Sequence, residues 1–511
     1  MKPSTLVVIV LVVIAVIGMV AWKVLKPKLD EQSAIEASDA KDLKGTASIA
    51  IDSFAGYFPL RSKDFRMKMR QSGYGIRYVD DKADYPDRMK KLNEGDYDFI
   101  VATIDSYELN AAKHKYPGVI FAVLDESQGA DALVCRKDLG LVLKDFTGKR
   151  LRVAFTGNSP SHHLLKFIVS MFGEKEFLPT DKSLRLETTG SEEALAKLLD
   201  EKADCAVLWE PDVSKAVANP KFAVVFSSKD TKGAIVDVLI VNRDYLKDNL
   251  KVVKLVLANY FRALKYYLDN PDRLKTELAE ESGLKADQVD AIVKGIAWQT
   301  LSQNCLTWFG ISKDGEAGSE NLVYAIENTA DTLVDAGDFK VSPIPKNDPY
   351  WLMYSDPLAE LCQNGLFNGG KNQAVNTKFA QLSEDAWMRQ KEVGNLKFNP
   401  IVFQSGTSVL TFEGKLELDR LAKKIGQFNY RIKVIGHVRP GGDPEPSLKL
   451  SIERAEAVMK YLQITHGLDP NRFWIVGLGG EKPLIKDPDE TERAWWLRCQ
   501  RVEIVLLKED F

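Results

Sequence analysis

The amino-acid sequence predicts an α/β protein with two folded modules behind an apolar N-terminal segment. Three observations lead to this prediction. A length of 511 residues allows roughly two to four domains. Along two separate stretches, short apolar strands alternate with amphipathic helices, which is typical of a parallel α/β sheet with crossover helices. Residues 5–22 precede both stretches and contain no charged side chain.

The overall composition excludes several classes of protein. With 69 Lys and Arg against 72 Asp and Glu, the net charge is −3, so no basic surplus indicates a nucleic-acid partner. Hydrophobic residues at 45% and charged residues at 28% exclude a disordered chain. The five cysteines lie far apart without a CxxC pair, so we expect no metal site and no cofactor. One disulfide, Cys305–Cys362, stays open because spacing alone does not establish proximity.

Residues 5–22 predict a membrane-spanning helix. A helix of this length extends about 27 Å, close to the thickness of a bilayer's hydrocarbon core. A cleavable signal peptide is the main alternative, but its apolar core is shorter and ends at small residues, whereas this segment ends at Trp22 and Lys23. We therefore expect an uncleaved signal anchor in residues 1–28 that reaches the membrane through 5–22, followed by a polar linker in 29–45.

The first module is expected over residues 46–345. Near-continuous apolar runs such as 98–104 are typical of strands buried on both faces. The predicted strands are 48–51, 75–79, 98–104, 119–125, 151–155, 205–209, 223–228 and 236–242. Helices are predicted between them, notably over 161–173 and 191–202, and residues 247–300 are predicted to be helical throughout.

Four segments of this module resemble type II periplasmic solute-binding proteins, in particular the nitrate, sulfonate, taurine and thiamine-precursor group. They read GDYDFIVATID (95–105), KDLGLVLKDFTGKRLRVAF (137–155), SPSHHLL (159–165) and EKADCAVLWEP (201–211). The resemblance implies two lobes, the second over about 145–235, that close on a small solute. It implies a receptor rather than an enzyme, on the periplasmic side of a bacterial inner membrane.

Candidate ligand-binding residues follow the predicted strands, because solutes in open α/β sheets bind beyond the carboxyl ends of the strands. The candidates are Ser53, Tyr57, Asp105, Ser106, Asn158, Ser159, Ser161, Trp209, Glu210 and Asp237. Ser159 or Ser161 at a helix start would leave N–H groups that suit an oxyanion, although Ser-Pro-Ser also begins ordinary helices. Trp209 and Glu210 match the family position that meets a ligand amine, but a core Trp beside a surface Glu is equally consistent. Asp125, Asp131 and Asp237 lie near the predicted crossovers between the lobes, where capping of the hinge and contact with the ligand are equally consistent.

The second module is expected over residues 396–511, after a linker in 346–395. Strands are predicted at 401–403, 431–438, 473–479 and 501–507, and helices at 415–428 and 450–467. The segment 401–425, Gly436-His437, Leu450-Ser451, Arg454-Ala455 and the final 501–504 strand resemble the OmpA-like peptidoglycan-binding domain.

The second module departs from this family where the family grips the peptide of the cell wall. The resemblance implies that an Asp binds the diaminopimelate ammonium and that an Arg binds its carboxylate. Arg454 occupies the Arg position, but Arg439 occupies the Asp position and Ser447 an Asn position. Asp443 could replace the missing carboxylate. Arg501 lies in the final strand, whose sequence fits the family pattern. Peptidoglycan and an envelope protein both stay open as partners of this module.

The sequence therefore predicts a membrane-anchored periplasmic receptor that binds a small anionic or zwitterionic solute and associates with the cell wall. The alternative is a structural envelope tether whose solute cleft is vestigial. A transferase-like enzyme on the same fold is a third, weaker hypothesis. An open, polar cleft would favour the receptor, and a plugged cleft would favour the tether.

Overall fold

The computed structural model describes residues 43–311, 318–363 and 379–508. The anchor expected at 5–22 and nearly all of the linker expected at 29–45 lie outside these residues. Within the described ranges, no helix is both long and apolar enough to cross a membrane.

The strands form three sheets. In chain order they are β1 (Gly45–Ala50), β2 (Tyr74–Val79), β3 (Phe99–Thr103), β4 (Gly118–Ser127), β5 (Asp131–Arg136), β6 (Val153–Thr156), β7 (Arg185–Thr188), β8 (Cys205–Trp209), β9 (Phe222–Ser227), β10 (Val236–Asn242), β11 (Ile296–Trp298), β12 (Lys391–Asn395), β13 (Arg431–Gly436), β14 (Phe473–Gly477) and β15 (Val502–Lys508).

The α-helices lie mostly between these strands. They are Phe58–Arg61, Lys63–Gln71, Tyr85–Glu94, Ile104–Ala111, Pro160–Phe172, Ser191–Leu199, Asp212–Val217, Arg243–Asp269, Pro271–Ser282, Ala286–Gly295, Leu301–Gln303, Asn321–Asp335, Asp356–Gln363, Glu384–Met388, Phe412–Gly426, Pro444–His466 and Glu492–Cys499. Several helices begin at a side-chain N-cap and end at a glycine with positive φ. For example, the Asp84 side chain accepts from the Asp87 N–H, and Gly95 ends the same helix with a left-handed φ of 81°.

The first lobe contains a six-stranded sheet in the order β11-β4-β10-β3-β1-β2. β1 pairs in parallel with β2 and β3, as the helix–strand alternation predicts. β10 runs antiparallel to both β3 and β4, so the expectation of a wholly parallel sheet was wrong. The cause is topological, because β10 returns from the second lobe instead of following a crossover helix.

The second lobe contains a five-stranded sheet in the order β7-β6-β8-β5-β9. It begins with β5, earlier than the expected boundary near residue 145. β5 is antiparallel to β8 and β9, and a disulfide between Cys135 and Cys205 joins β5 to β8. Segments 128–130 and 228–235 connect the two lobes. Ser127 Oγ and Ser228 Oγ lie 2.7 Å apart there, so a hydrogen bond links the two hinge segments.

The region between the modules is more structured than a linker. Leu352 and Leu358 are buried against the first lobe, and the disulfide Cys305–Cys362 holds this segment to it. At the far end, β12 pairs antiparallel with β15, so the C-terminal sheet includes residues before 396.

The C-terminal domain has a four-stranded sheet in the order β12-β15-β13-β14, and helices Phe412–Gly426 and Pro444–His466 pack against it. The strand predicted at 401–403 does not form, and an isolated bridge between Phe403 and Leu410 is found instead. The apolar run at 401–403 suggested a strand, but Ile401 is apolar because it is buried in the core and not because it pairs in a sheet.

The C-terminal domain docks directly on the second lobe. The Phe428 ring lies 5.6 Å from the rings of both Phe167 and Phe172, and one continuous apolar core spans the two units. The Lys397 N–H donates to the Met171 carbonyl at 2.7 Å, which adds a backbone contact. The second lobe and the C-terminal domain therefore form one packed unit.

Candidate functional site

A small cavity lies between the two lobes, where several strands and loops meet. Its volume is about 10 Å³, the space of about one water molecule. The first lobe contributes most of the lining, and β5, β8 and the start of helix Pro160–Phe172 contribute the rest. The lining residues are Asp52, Phe54, Tyr57, Tyr85, Thr103, Asp131, Pro160, Trp209 and Asp237. The site is a closed cleft with carboxyl groups and aromatic rings on its walls.

Asp237, on the cavity wall, faces a second buried carboxyl group. Asp125 on β4 and Asp237 on β10 are register partners, fully or almost fully buried, and their carboxyls lie within hydrogen-bonding range of each other. The Tyr57 hydroxyl donates to Asp237 Oδ1. Beyond their mutual contact, both Asp125 oxygens and Asp237 Oδ2 receive no hydrogen bond from the described residues. Burial, followed by the charge of neighbouring carboxylates, raises the pKa of both groups.

Two further carboxyls of the second lobe lie close by. Burial raises the pKa of Asp131 to about 7, and the charges of Asp105, Glu210 and Asp52 act in the same direction. Ser127 Oγ donates to Asp131 Oδ2 at 2.7 Å, which partly offsets the shift. Burial also raises the pKa of Glu210 to about 7. Near neutral pH, the site can therefore change its charge.

One buried arginine compensates part of this negative charge. Arg88 binds Asp81 and also Asp52, at 3.1 Å from Nη2 to Oδ2, and donates to the Val101 carbonyl. Its guanidinium is therefore fully engaged by Asp52, Asp81 and the Val101 carbonyl. Among the described residues it makes no hydrogen bond to Asp125 or Asp237, and burial favours the protonated forms of that pair.

The structure brings three predicted residues together at the cavity, namely Tyr57, Trp209 and Asp237. Ser53 is exposed and lies outside the lining, and its neighbour Asp52 takes that place. Glu210 is buried just beyond Trp209, where it accepts from Ser214 N at 3.1 Å and from Ser214 Oγ at 2.8 Å.

The predicted residues at the two helix starts lie at the contact between the lobes. Asp105 and Ser106 are buried in the first turn of helix Ile104–Ala111, and Asp105 Oδ1 has no donor within the described part of the chain. Opposite them, Asn158 has a left-handed φ of 53°, and its carbonyl accepts from Asn110 Nδ2 at 3.0 Å. This hydrogen bond crosses from one lobe to the other.

Ser159 is the N-cap of helix Pro160–Phe172. Its Oγ accepts from Ser161 N at 3.2 Å and donates to the Thr156 carbonyl at 2.8 Å. Ser161 is fully buried, and its Oγ has no partner among the residues described. Ser159 is thus engaged within its own turn, whereas Ser161 keeps unused hydrogen-bonding capacity.

The candidates chosen from sequence did not include the lining residues Asp52, Phe54, Tyr85, Thr103 and Pro160, and Asp131 was weighed equally as a hinge cap and as a ligand contact. Asp52 and Phe54 were close to predicted positions and follow the end of β1, so the strand-end rule could have identified them. Asp131 opens β5, which was not predicted as a strand. Tyr85 begins a helix after a polar loop, and nothing in the sequence indicated that its ring turns toward the cleft.

In the C-terminal domain, Arg454 is buried and its guanidinium is engaged. Its Nε donates to the Thr407 carbonyl at 3.0 Å, and the guanidinium lies 5.1 Å from the centre of the Phe403 ring. Burial lowers the pKa of Arg454. Arg439 is exposed and lies over the Trp496 ring at 5.5 Å. Arg454 therefore faces the loop after residue 403, in a pocket already occupied by backbone.

The other predicted peptidoglycan residues do not gather around Arg454. Asp443 is exposed at the N-cap of helix Pro444–His466 without a side-chain cap hydrogen bond, and Ser447 follows in its first turn. Arg501 pairs with Glu503 and lines a separate cavity of about 260 Å³ on the sheet, together with His437 and Lys433. Arg454 does not line that cavity.

Comparisons with known proteins match the two modules separately. Residues 402–495 match the OmpA family model, and residues 75–274 match the NMT1/THI5-like family model. The peptidoglycan-associated lipoprotein of Pseudomonas aeruginosa is 31% identical over 136 residues, which cover 27% of this chain and 73% of the relative. The taurine-binding periplasmic protein of Escherichia coli is 26% identical over 200 residues, 38% of this chain and 60% of that protein.

Among solved structures, the alkanesulfonate-binding protein SsuA from Xanthomonas axonopodis pv. citri, bound to MOPS, aligns with a TM-score of 0.46 at 17% identity. The alignment covers 59% of this chain and 96% of that protein. On the family models, the first module carries an NMT1/THI5-like domain, as the sequence resemblance indicated, and through its C-terminal domain the chain belongs to the OmpA family.

Proposed function

We propose that this protein is an envelope receptor whose two lobes close on a small solute, with a C-terminal domain that contacts the cell wall or an envelope protein. Residues 5–22 would anchor it in the bacterial inner membrane, with the bulk of the chain in the periplasm. The receptor function is non-enzymatic in this proposal.

The observation behind the proposal is the set of buried carboxyl oxygens in the cleft that lack donors among the described residues. A buried polar group without a hydrogen-bond partner costs on the order of 1–3 kcal/mol, and an unpaired charge costs more. A cleft that had lost its solute would gain stability by replacing Asp125 or Asp237 with an apolar side chain. The presence of these buried carboxyls therefore favours a ligand that satisfies their free oxygens.

The charge of the cleft also bears on the kind of solute. The sequence suggested an anionic or zwitterionic solute, from the helix start at Ser159 and Ser161. Above about pH 7 the ionised carboxyl of Asp131 on the cavity wall would repel a purely anionic solute. A solute that carries a positive group, which includes zwitterions, fits this site better.

A structural tether is the second candidate function, and the size of the cavity favours it. A volume of about 10 Å³ does not accommodate a whole organic solute while the lobes are closed as described. The receptor function therefore requires that the lobes separate, with a break in the hydrogen bond between Asn110 and Asn158. A tether would need no such motion.

For the C-terminal domain we propose association with peptidoglycan that is weaker than in relatives with the acidic residue. Arg454 supports binding of a carboxylate, but it would first have to give up the Thr407 carbonyl. Arg439 would repel an ammonium group. A protein partner in the envelope is the alternative for this surface.

A thermal-shift screen of the purified full-length chain tests the receptor against the tether. The panel contains amines, amino acids, sulfonates, phosphates and pyrimidine precursors at matched ionic strength. A solute at a hundred times its Kd stabilises the folded state by about 2.7 kcal/mol, so a true ligand raises the melting temperature in a saturable way. If no member of the panel does so, the receptor proposal fails and the tether is favoured.

A further inference from the structure

We infer that the C-terminal domain has a binding site of its own, on the open face of its sheet, for a small organic anion with an apolar body. The site is the cavity of about 260 Å³ that Arg501 and His437 line. It is separate from the cleft between the lobes and from Arg454, which does not line it. The inference therefore goes beyond the proposed receptor function and does not depend on it.

The cavity lies on the face of the sheet that the two long helices of the domain leave uncovered. Alternate residues of a strand point to opposite faces of a sheet. Ile432 and Val434 of β13 belong to the core that these helices share. Lys433, Ile435 and His437 therefore point to the other face, and all three line the cavity. Its volume is close to the lower limit of small-molecule sites, about 300 Å³, so a compact ligand fits.

The lining combines apolar and charged side chains. Ile435 and Val505 are almost fully buried between their neighbours on the sheet. A ligand that covers apolar side chains gains free energy in proportion to the apolar area removed from water. The apolar lining residues are Ile435, Val476, Leu478 and Val505, and the charged ones are Glu392, Lys433, Lys482, Arg501 and Glu503.

Positive charge exceeds negative charge among these lining residues. Lys433 pairs with Glu392, at 3.1 Å from Nζ to Oε1. Arg501 pairs with Glu503. Lys482 is exposed and forms no ion pair with any residue that the structure describes. One ammonium group of the cavity thus has no counter-ion of its own, which favours an anionic ligand over a cationic one.

The unpaired charge lies beside a buried histidine. The Lys482 carbonyl accepts from Arg501 Nη2 at 3.3 Å, and the His437 N–H donates to the Arg501 carbonyl at 2.9 Å, so these residues share one end of the cavity. His437 is 2% exposed, and its Nδ1 makes no hydrogen bond to the described residues. Its Nε2 lies 3.3 Å from Glu503 Oε1. A protonated His437 would donate to Glu503 from Nε2 and to a bound anion from Nδ1.

An organic anion satisfies both parts of the cavity. A carboxylate at this end would meet the charge of Lys482 and the unused nitrogen of His437, while an apolar body would cover Ile435 and Val505. An inorganic anion would leave the apolar side chains in contact with water. An uncharged apolar molecule would leave Lys482 without a counter-ion.

Calorimetric titration of the full-length chain with three probes tests this inference. Benzoate has both the ring and the charge, benzamide has the ring alone, and inorganic phosphate has charge alone. We expect saturable binding of benzoate, with an affinity about tenfold or more above that of either other probe. Absence of saturable benzoate binding would overturn the site. Equal affinity for benzamide would overturn the role of the charge, and equal affinity for phosphate would overturn the role of the apolar lining.

Two variants with the same change in net charge assign the binding to the sheet. Lys482→Glu places a negative charge at the proposed carboxylate position and should weaken benzoate binding about tenfold. Lys415→Glu changes an exposed side chain on helix Phe412–Gly426, which packs on the other face of the sheet, and should leave the affinity unchanged. Both side chains are exposed, so we expect wild-type melting temperatures. Equal benzoate affinity of Lys482→Glu and wild type would place the anion elsewhere and overturn the assignment.

Nuclear magnetic resonance of the labelled histidine rings locates the anion independently. The chain has only five histidines, and loss of a signal in His437→Gln assigns the ring of His437. Benzoate should shift this signal and leave those of His162 and His163, on helix Pro160–Phe172, unchanged. A shift confined to His162 or His163 would mean that the anion binds near the start of that helix, which would support the receptor function and overturn the site on the sheet.

Discussion

Replacement of Asp131 by Asn should stabilise the unliganded protein at neutral and alkaline pH and have little effect in acid. Burial raises the pKa of Asp131 from its ordinary value of 3.8 to about 7. The folded chain therefore binds the carboxyl proton of Asp131 more tightly than the unfolded chain does. As the pH rises from about 4 to about 7, the folded state loses stability relative to the unfolded state. Above pH 7 the folded state carries the full penalty of a buried charge.

The size of this effect follows from the pKa shift. A shift of about three pKa units, at about 1.36 kcal/mol each, sets a ceiling near 4 kcal/mol for the penalty. Structural relaxation lowers the real value, so we expect about 1–3 kcal/mol of stabilisation at pH 8 and almost none at pH 4. Asparagine retains the oxygen that accepts from Ser127 Oγ.

The assay is thermal unfolding of wild type and Asp131→Asn at a series of pH values, with Asp138→Asn as the exposed control. Comparing the difference between chains at each pH removes the contribution of all other titrating groups. A variant that is less stable than wild type at pH 8, or an advantage that does not vary with pH, would refute the argument from burial.

Three further predictions follow from the same structure. The affinity for a panel member that carries a positive group should increase as the pH rises through about 7, because Asp131 loses its proton there while an amine stays charged. Titrations at several pH values measure this, and a flat profile would contradict it. Phe428→Ala should weaken the docking of the C-terminal domain on the second lobe by about 3–5 kcal/mol and split their joint unfolding transition in calorimetry. The control Phe412→Ala, at a side chain that is 72% exposed, should leave that transition unchanged. In pull-downs of the full-length chain with diaminopimelate-type sacculi, Arg454→Ala should reduce binding about ten- to a hundredfold and Arg439→Asp should increase it; unchanged binding by Arg454→Ala would mean that this arginine does not hold the wall peptide.

The sequence predicted the elements whose signal is local. β8 and β10 have the predicted bounds because continuous apolar runs of five to seven residues in a buried sheet leave few alternatives. β5 was missed although it is equally buried. Its direction and its place between β8 and β9 depend on how the chain crosses between the lobes, which local pattern does not encode.

The candidate site was predicted in part for the same reason. Tyr57 follows β1 and Trp209 is the last residue of β8, so the strand-end rule placed both near the cavity that they line. For Asp125 the sequence left hinge capping and ligand contact open, because its place opposite Asp237 depends on the register between β4 and β10. The anionic solute suggested by the start of helix Pro160–Phe172 took account of one helix end, whereas the charge of the cleft comes from carboxyls on four different strands and loops.

The contacts that Arg454 makes within the domain could not be predicted from the sequence either. The motif placed the arginine on the correct helix, but the Thr407 carbonyl and the Phe403 ring reach it from a segment that was expected to be a strand. That segment forms only an isolated bridge between Phe403 and Leu410, so the contacts of Arg454 come from a loop.

Hydrogen–deuterium exchange of the full-length chain, with and without the panel member that stabilises it most, tests the central claim most directly. If the two lobes close on a solute, the backbone around residues 52–57 of the first lobe and around 131–136 and 209–214 of the second lobe should gain protection together. The 401–410 loop of the C-terminal domain should not change. Protection confined to one lobe, or to the C-terminal domain alone, would contradict a receptor that binds its solute between the lobes.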